Sequence, residues 1–212
     1  MWGLISFLIV TAAVLPYCFM NYDEPLTAKQ WEVTETLCYI AFAKATVCLF
    51  TNVATGNYSQ IDKLWSIIPS VYCWVATVMS GIQTRQVIMS LCVTVWSTRL
   101  TFNFARKGGF SGISCGGKDG WKFRPWEGEE DYRWAILRKN PVLSNPIMWQ
   151  IFNFAFICYY QSFLILAFTV PIILTVSDTP EPIGMVDFTA AGLMLFLIGF
   201  ETVADQQQWD FH

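Results

Sequence analysis

Six long apolar runs constrain this chain more than any other feature of its sequence. A helix of about 20 mostly apolar residues crosses the hydrocarbon core of a bilayer, and each run approaches that length. With 54% hydrophobic and 14% charged residues, the chain is more apolar and less charged than soluble domains. The sequence therefore predicts an all-α, polytopic membrane helix bundle that forms a single domain over residues 1–212. Its expected transmembrane helices, about six, lie near 2–20, 34–55, 64–81, 86–105, 148–176 and 184–205.

Loop charges predict how these helices are oriented. The long segment 106–147 carries eight Lys and Arg residues, whereas the loop near Asp178 and Glu181 carries none. Basic loops stay on the cytosolic side of a membrane, so we expect loop 106–147 and both termini on that side or its equivalent in an organelle. The run at 2–20 could be a signal peptide, but it lacks a basic start and a clear small-residue cleavage site, and five further runs favour a retained helix. We expect a multi-pass protein of the endoplasmic reticulum or another organelle membrane.

Composition excludes several classes of function. The net charge of −3 gives no electrostatic reason to expect a nucleic-acid partner. The one histidine is the final residue, His212, so a histidine-based catalytic or metal site is not expected. The seven cysteines show no C-x-x-C spacing, which indicates buried thiols rather than a disulfide framework.

Two carboxylates close the last apolar run. Glu201 and Asp205 are four residues apart and share one face of a helix. A carboxylate at membrane depth is costly unless it is paired or lines a hydrated cavity. This face is therefore expected to point into the protein, toward a polar ligand or a polar partner.

A second polar stripe lies in the fourth run, where Trp96, Arg99 and Asn103 share a helix face. The Arg99 guanidinium could hold Glu201 or Asp205 as a structural ion pair, or it could hold an anionic ligand group. The residues leave both interpretations open.

Polar residues at the start of the third run also allow two interpretations. A helix cap with an interfacial Trp65 would explain segment 57–69, and so would Gln60 and Asp62 facing a cavity mouth and holding a substrate oxygen. In the fifth run, Asn153, Tyr160 and Gln161 suit either helix packing or a pocket.

The basic loop has two recognisable parts. Segment 107–120 is rich in glycine but lacks the order of a phosphate-binding loop, so we expect a flexible connector. Segment 127–140 has acids at its start and bases at its end, which is typical of a short amphipathic helix that Pro141 stops.

Four stretches together resemble the DUF1295 family, which is related to the steroid 5-alpha-reductases. They are NYSQIDKLWS at 57–66, RLTFNFARKGG at 99–109, EEDYRW at 129–134 and ETVADQQ at 201–207. They occur in the family's order, and the resemblance covers roughly residues 40–211. It implies an all-helical membrane fold and NADPH-dependent reduction of a carbon–carbon double bond in a lipid or sterol enone. It also implies that related proteins continue past the equivalent of Asp205 with a basic cofactor segment, so we expect a truncated or shortened member.

The same resemblance implies roles for individual residues. Gln60 and Asp62 would be counterparts of the pair that polarises the enone oxygen, and Trp96 falls where those reductases have a tyrosine. A tryptophan N–H can donate a hydrogen bond but is not an ordinary proton donor. Arg99, Asn103, Glu201 and Asp205 would bind the cofactor.

Three hypotheses follow from the sequence. The first is an NADPH-dependent reductase acting on a membrane lipid or sterol-like substrate. The second is a non-catalytic scaffold or subunit of a larger membrane complex, with a protein partner at the C-terminal end. The third, a lipid methyltransferase, is supported by no specific residue.

Overall fold

The structure, a computed structural model, describes residues 26–115 and 120–211, and most of them are helical. The helices are α1 (Ala28–Thr55), α2 (Gln60–Trp65), α3 (Ile68–Met79), α4 (Thr84–Arg106), α5 (Tyr132–Leu137), α6 (Pro146–Phe152), a π-helix (Asn153–Tyr160), α7 (Gln161–Ala167), α8 (Val170–Leu174) and α9 (Met185–Phe211). Two short strands, β1 (Ile113–Cys115) and β2 (Trp121–Phe123), pair antiparallel. The predicted all-α membrane bundle is confirmed.

Four helical segments of the described chain are long and apolar enough to cross a bilayer: α1, α4, the continuous stretch Pro146–Ala167 and α9. They correspond to four of the six predicted runs. The run at 2–20 lies outside the described residues. The run at 64–81 differs from the prediction, because a break after Trp65 separates α2 from α3 and leaves α3 with 12 residues, about 18 Å of helix.

Local sequence explains where α1 begins and ends. The Thr27 side chain accepts a hydrogen bond from the Gln30 backbone while the Gln30 side chain accepts one from the Thr27 backbone, which is a capping box. The helix ends at Gly56, whose φ of +69° suits glycine. Its buried face recurs every three or four residues and packs against the π-helix and α7. That face comprises Val33, Leu37, Ala41, Lys44, Ala45, Cys48 and Asn52.

The fifth predicted run is divided into several helical segments. Its first part changes from α6 to the π-helix at Asn153 and back to α-helix at Gln161. A π-helix has a wider turn and often occurs at functional sites. A second interruption at Phe168 and Thr169 precedes α8, which carries Pro171 in its first turn. Because its turn is wider, the π-helix changes the direction in which the side chains after it point, relative to a continuous α-helix.

The basic loop is more ordered than its glycine content predicts. Strands β1 and β2 replace part of the expected flexible connector, and residues 116–119 between them lie outside the described residues. The expected amphipathic helix over 127–140 is shorter and covers Tyr132–Leu137, with the Asp131 side chain accepting a hydrogen bond from the Arg133 backbone N–H at its start. Gly128 has a φ of +150°, so the helix does not extend back to it.

Helix α4 connects the two sides of the bundle. It packs against α3 on one side and against α9 on the other. Arginines near both ends of α4 pair with carboxylates of α9 or of the loop before it. The C-terminal half of α9 is thereby brought next to the start of α2.

Candidate functional site

A cavity of about 650 Å³ lies where α2, α4, α5, the π-helix, α7 and α9 meet. One part of its wall is polar and the rest is apolar, and we call it the mixed cavity. Its polar lining comprises Asp62, Asn103, Lys107, Asp131, Arg133, Tyr160, Gln161 and Asp205. Its apolar lining includes Leu100, Phe104, Leu137, Phe156 and Leu164. Binding sites for small molecules commonly have this combination of an apolar wall and a few converging polar groups.

Asp62 is the buried acid of the mixed cavity. Its side chain is 9% exposed and accepts a hydrogen bond of 3.0 Å from the Trp134 indole N–H, and the Arg133 guanidinium lies 3.9 Å away. Burial raises the pKa of Asp62 above its ordinary value, although hydrogen bonds from Trp134 and Ser59 oppose that shift. Asp62 can therefore hold a proton at a higher pH than an exposed aspartate can.

Asp205, on α9, lines the same mixed cavity. Its carboxylate accepts hydrogen bonds from the Arg99 guanidinium, at 2.8 Å, and from the Asn103 amide. Arg99 also pairs with Glu201 at 2.9 Å. The structure thus brings together the two polar stripes that the sequence indicated, and Asp205 and Asn103 face the cavity.

The Arg99 cluster (Arg99, Asn103, Glu201 and Asp205) contains an unused donor. The Arg99 side chain is 13% exposed, and its buried Nε has no hydrogen-bond partner within residues 26–115 and 120–211. Arg106 extends the cluster toward the C-terminus by donating to the Asp205 backbone carbonyl at 3.2 Å and stacking on Trp209 at 4.4 Å. These contacts fix the end of α9 against α4.

Gln60 is not among the residues that line the mixed cavity. Its amide nitrogen donates to the Trp126 carbonyl at 2.9 Å, and its amide oxygen accepts from the Lys63 ammonium at 3.4 Å. Lys63 in turn donates to the carbonyls of Pro125 and Glu127 at 3.0 and 2.9 Å. Gln60 and Lys63 therefore hold segment 125–128 in place, and the structure separates Gln60 from Asp62.

Trp96 also lies away from the mixed cavity. Its ring packs against Phe168 with the ring centroids 6.4 Å apart. Of the seven residues that the sequence proposed for catalysis and cofactor binding, the structure brings Asp62, Asn103 and Asp205 to one cavity. Arg99 and Glu201 do not line the cavity, but Arg99 forms ion pairs with both Asp205 and Glu201.

The structure adds residues that the sequence had placed elsewhere. Lys107 and Arg133 line the cavity, although their charges had been attributed to topology. Arg133 is already engaged, because its guanidinium makes two bonds of 2.8 Å to the Asp131 carboxylate. Trp65 donates from its indole N–H to the Gln161 side chain at 2.7 Å. These residues are separated in sequence, and no local pattern would have grouped them.

Tyr160 provides a phenol group in the wall of the mixed cavity. It is the last residue of the π-helix, and its ring stacks on Phe156 at 5.3 Å. The sequence had left Tyr160 and Gln161 open to either packing or a pocket, and both line the cavity.

Comparison with known proteins assigns the chain to a family. The sequence model of DUF1295, described as a protein of unknown function, matches residues 48–212. The chain belongs to the DUF1295 family. The match includes α2, α4, α5 and α9, and hence the elements that carry Asp62, Arg99, Arg133 and Asp205.

An uncharacterized protein of Schizosaccharomyces pombe is 29% identical to this DUF1295 protein over 179 residues, which cover 82% of this chain and 46% of the yeast protein. The chain thus spans about half the length of the curated relative that it matches. No solved structure matches it.

Proposed function

We propose that this DUF1295 protein is a membrane oxidoreductase that reduces the carbon–carbon double bond of a lipid or sterol enone with NADPH. The observation that carries the proposal is the mixed cavity, in which a buried acid, an amide and cationic side chains face an apolar wall. An enone lipid needs such a combination, since its hydrocarbon part requires apolar contacts and its oxygen requires a hydrogen-bond donor. The resemblance to the steroid 5-alpha-reductases supports the same reaction.

Asp62 is the proposed partner of the substrate oxygen. When a hydride adds to the β-carbon of an enone, the electron pair of the double bond moves toward the oxygen, which becomes an enolate. A donor aimed at this oxygen stabilises the developing charge. Burial raises the pKa of Asp62 above its ordinary value, which favours the protonated, donating form more than in an exposed aspartate.

Tyr160 is the proposed proton source for the α-carbon. Its phenol lines the same cavity as Asp62, and a phenol can supply a proton to an enolate whereas the Trp96 indole cannot. This proton, together with a hydride that bound NADPH would supply, would convert the enone to the saturated ketone. Solvent would restore the proton on Tyr160.

The residues of the cavity fit part of the cofactor. A nicotinamide carboxamide presents both a donor and an acceptor, which match the Asp205 carboxylate and the Asn103 amide. Phosphates require cations. Lys107 offers one at the cavity wall, and Arg133 would have to exchange its bonds to Asp131 for a phosphate. The bound cofactor would supply the hydride, and the protein would hold its carboxamide and phosphates in place.

Titration of the purified protein with NADPH tests the proposal. We expect saturable binding that weakens by about tenfold or more in Asp205→Asn, a loss of at least about 1.4 kcal/mol. Asp178→Asn is the matched control, because Asp178 is 80% exposed and lies in the loop before α9. Wild-type protein that binds no NADPH, or equal weakening in the two variants, would contradict the proposal.

One observation favours the scaffold as a second candidate. Only 6% of the most apolar stretch of α9 is buried within the described structure, and Trp209 and Phe211 near its end are exposed. A partner protein covering α9 would shield this surface. A complex of fixed stoichiometry that survives purification, together with the absence of NADPH binding, would support the scaffold over the enzyme.

A further inference from the structure

A second cavity, of about 460 Å³, lies nearer the other end of the helices. Residues of α3, α4, α8 and α9 line it, and we call it the apolar cavity. Its wall includes Cys73, Met89, Cys92, Phe168, Ile172 and Met194. All six of these side chains are apolar or weakly polar, so they suit hydrocarbon.

The polar groups at the apolar cavity are already satisfied. Thr169 and Thr175 donate to the backbone carbonyls of Leu166 and Ile172. Arg85 makes two hydrogen bonds to Asp187 and a further one to Glu181. A ligand with polar groups would find these partners occupied, whereas a hydrocarbon chain requires none.

The apolar cavity is open to surrounding lipid. Phe168 is 44% exposed and Val186 is 81% exposed, although both line the cavity. The main packing partner of α9 is α4, so the side of α9 toward α8 offers an entry for lipid chains.

Two aromatic rings connect the linings of the two cavities, and a third packs against one of them. Trp65 lines the mixed cavity and Phe168 lines the apolar cavity, and their ring centroids are 5.6 Å apart. Trp96 packs on the same Phe168 ring at 6.4 Å. We call these three residues the aromatic partition. A passage between these rings favours a narrow flexible chain, because an acyl or prenyl chain is thinner than the rigid fused rings of a sterol.

We propose that the apolar cavity binds the flexible hydrocarbon chain of an elongated lipid, and that Trp96 belongs to the partition this chain passes on its way to the mixed cavity. That this hydrocarbon chain is the tail of a substrate rests on the proposed reductase function, whereas its binding in the apolar cavity does not. The expected ligand is therefore a linear prenyl or acyl lipid and not a sterol.

Thiol protection tests this assignment without NADPH. Cys73 and Cys92 line the cavity, while Cys48 and Cys158 are buried elsewhere and serve as references. Purified protein in detergent would be treated with N-ethylmaleimide in the presence of geranylgeraniol or of cholesterol, and modification of each cysteine followed by peptide mass spectrometry. We expect geranylgeraniol to slow modification of Cys92 by about tenfold or more, with little effect of cholesterol and no change at the references.

Variants that fill the cavity sharpen the test. Met194→Trp and the milder Ala191→Leu place extra volume in the lining, whereas Leu195→Trp changes a 46% exposed neighbour outside it. Both lining variants should abolish the protection by geranylgeraniol, and Leu195→Trp should retain it. Equal protection by cholesterol, protection of all four cysteines alike, or unchanged protection in both lining variants would overturn the proposal. Protection of Cys92 by geranylgeraniol in a protein that does not bind NADPH would support this inference and contradict the proposed reductase function.

Discussion

Helix α4 carries an arginine near each end, and each arginine pairs with two carboxylates, but the two clusters differ in what they leave unused. At the Arg85 end, the guanidinium binds Asp187, Glu181 and the Pro182 carbonyl, and Asp187 also accepts from the Gly184 backbone. At the Arg99 end, one guanidinium nitrogen has no partner within the described residues, and Asp205 faces a cavity beside Asn103.

The difference shows that an arginine with two acids on a neighbouring helix does not by itself define a binding site. The Arg85 cluster is a structural contact between α4 and α9, because its hydrogen-bond donors and acceptors are paired with one another. The Arg99 cluster contains an unpaired guanidinium nitrogen, and its Asn103 and Asp205 line the same cavity as the buried acid Asp62. Each cluster contains one arginine, one aspartate and one glutamate. The groups around the cluster, and not its own residues, therefore distinguish the two ends.

Replacing each arginine should produce the largest effects and separate these two roles. Arg99→Met should weaken NADPH binding by about tenfold or more, because Asp205 loses its charged partner and its position. We also expect it to lower the free energy of unfolding by about 1–2 kcal/mol, a value reduced from that of fully buried pairs because both acids are partly exposed. Fluorescence titration and thermal unfolding measure the two effects.

Arg85→Met is the matched variant at the other end. It should lower the melting temperature while leaving the affinity for NADPH within about twofold of wild type. If both arginine variants lose NADPH binding to the same extent, the Arg99 cluster is no more a binding site than the Arg85 cluster.

Segment 125–128 is held by side chains from the start of α2, and Lys63 contributes two of these contacts. Lys63→Met should destabilise the fold by about 2 kcal/mol, because the carbonyls of Pro125 and Glu127 lose their donor. Hydrogen exchange should increase in segment 125–128. Lys122→Met is the control, since Lys122 makes a more exposed ion pair with Glu127, and such surface pairs contribute little to stability. Equal exchange in the two variants would show that Lys63 does not anchor the segment.

The buried acid of the mixed cavity should produce a smaller, pH-dependent effect. The pKa of Asp62 is raised in the folded protein, so its favourable contribution is complete below the unfolded value of about 3.9 and is lost as the pH rises through the folded value. Asp62→Asn does not titrate. Its melting temperature relative to wild type should therefore increase from pH 4 to pH 8.

Asp178→Asn serves as the reference for this pH series, because Asp178 is largely exposed. A difference between Asp62→Asn and wild type that does not change with pH would mean that burial does not shift the pKa of the Asp62 carboxyl.

Most of the helical architecture could be predicted from hydrophobicity alone. The observed helices α1, α4 and α9 overlap the predicted runs at 34–55, 86–105 and 184–205. The internal breaks could not be predicted in this way, because the run at 148–176 is apolar through both the π-helix and the interruption before α8. Pro171 in the first turn of α8 accounts for the interruption before it, but hydrophobicity does not register proline geometry, and it carries no signal for the change from α-helix to π-helix at Asn153.

The candidate site was predictable only where helical spacing was informative. Glu201 and Asp205 are one turn apart, as are Arg99 and Asn103, and the structure brings all four together. Gln60 and Asp62 are two residues apart on α2, so they point in nearly opposite directions around the helix. That geometry explains why only Asp62 reaches the cavity.

Arg85 and Arg99 are fourteen positions apart on α4, which corresponds to about 21 Å along the helix axis. Helix α9 is thus held against α4 at two points, and between them it carries small residues such as Ala190, Ala191 and Gly192. A rod held at two points bends most easily in the middle. The apolar cavity, which Ala191 lines, can therefore widen or narrow as α9 bends, while the ion pairs at Arg85 and Arg99 stay intact.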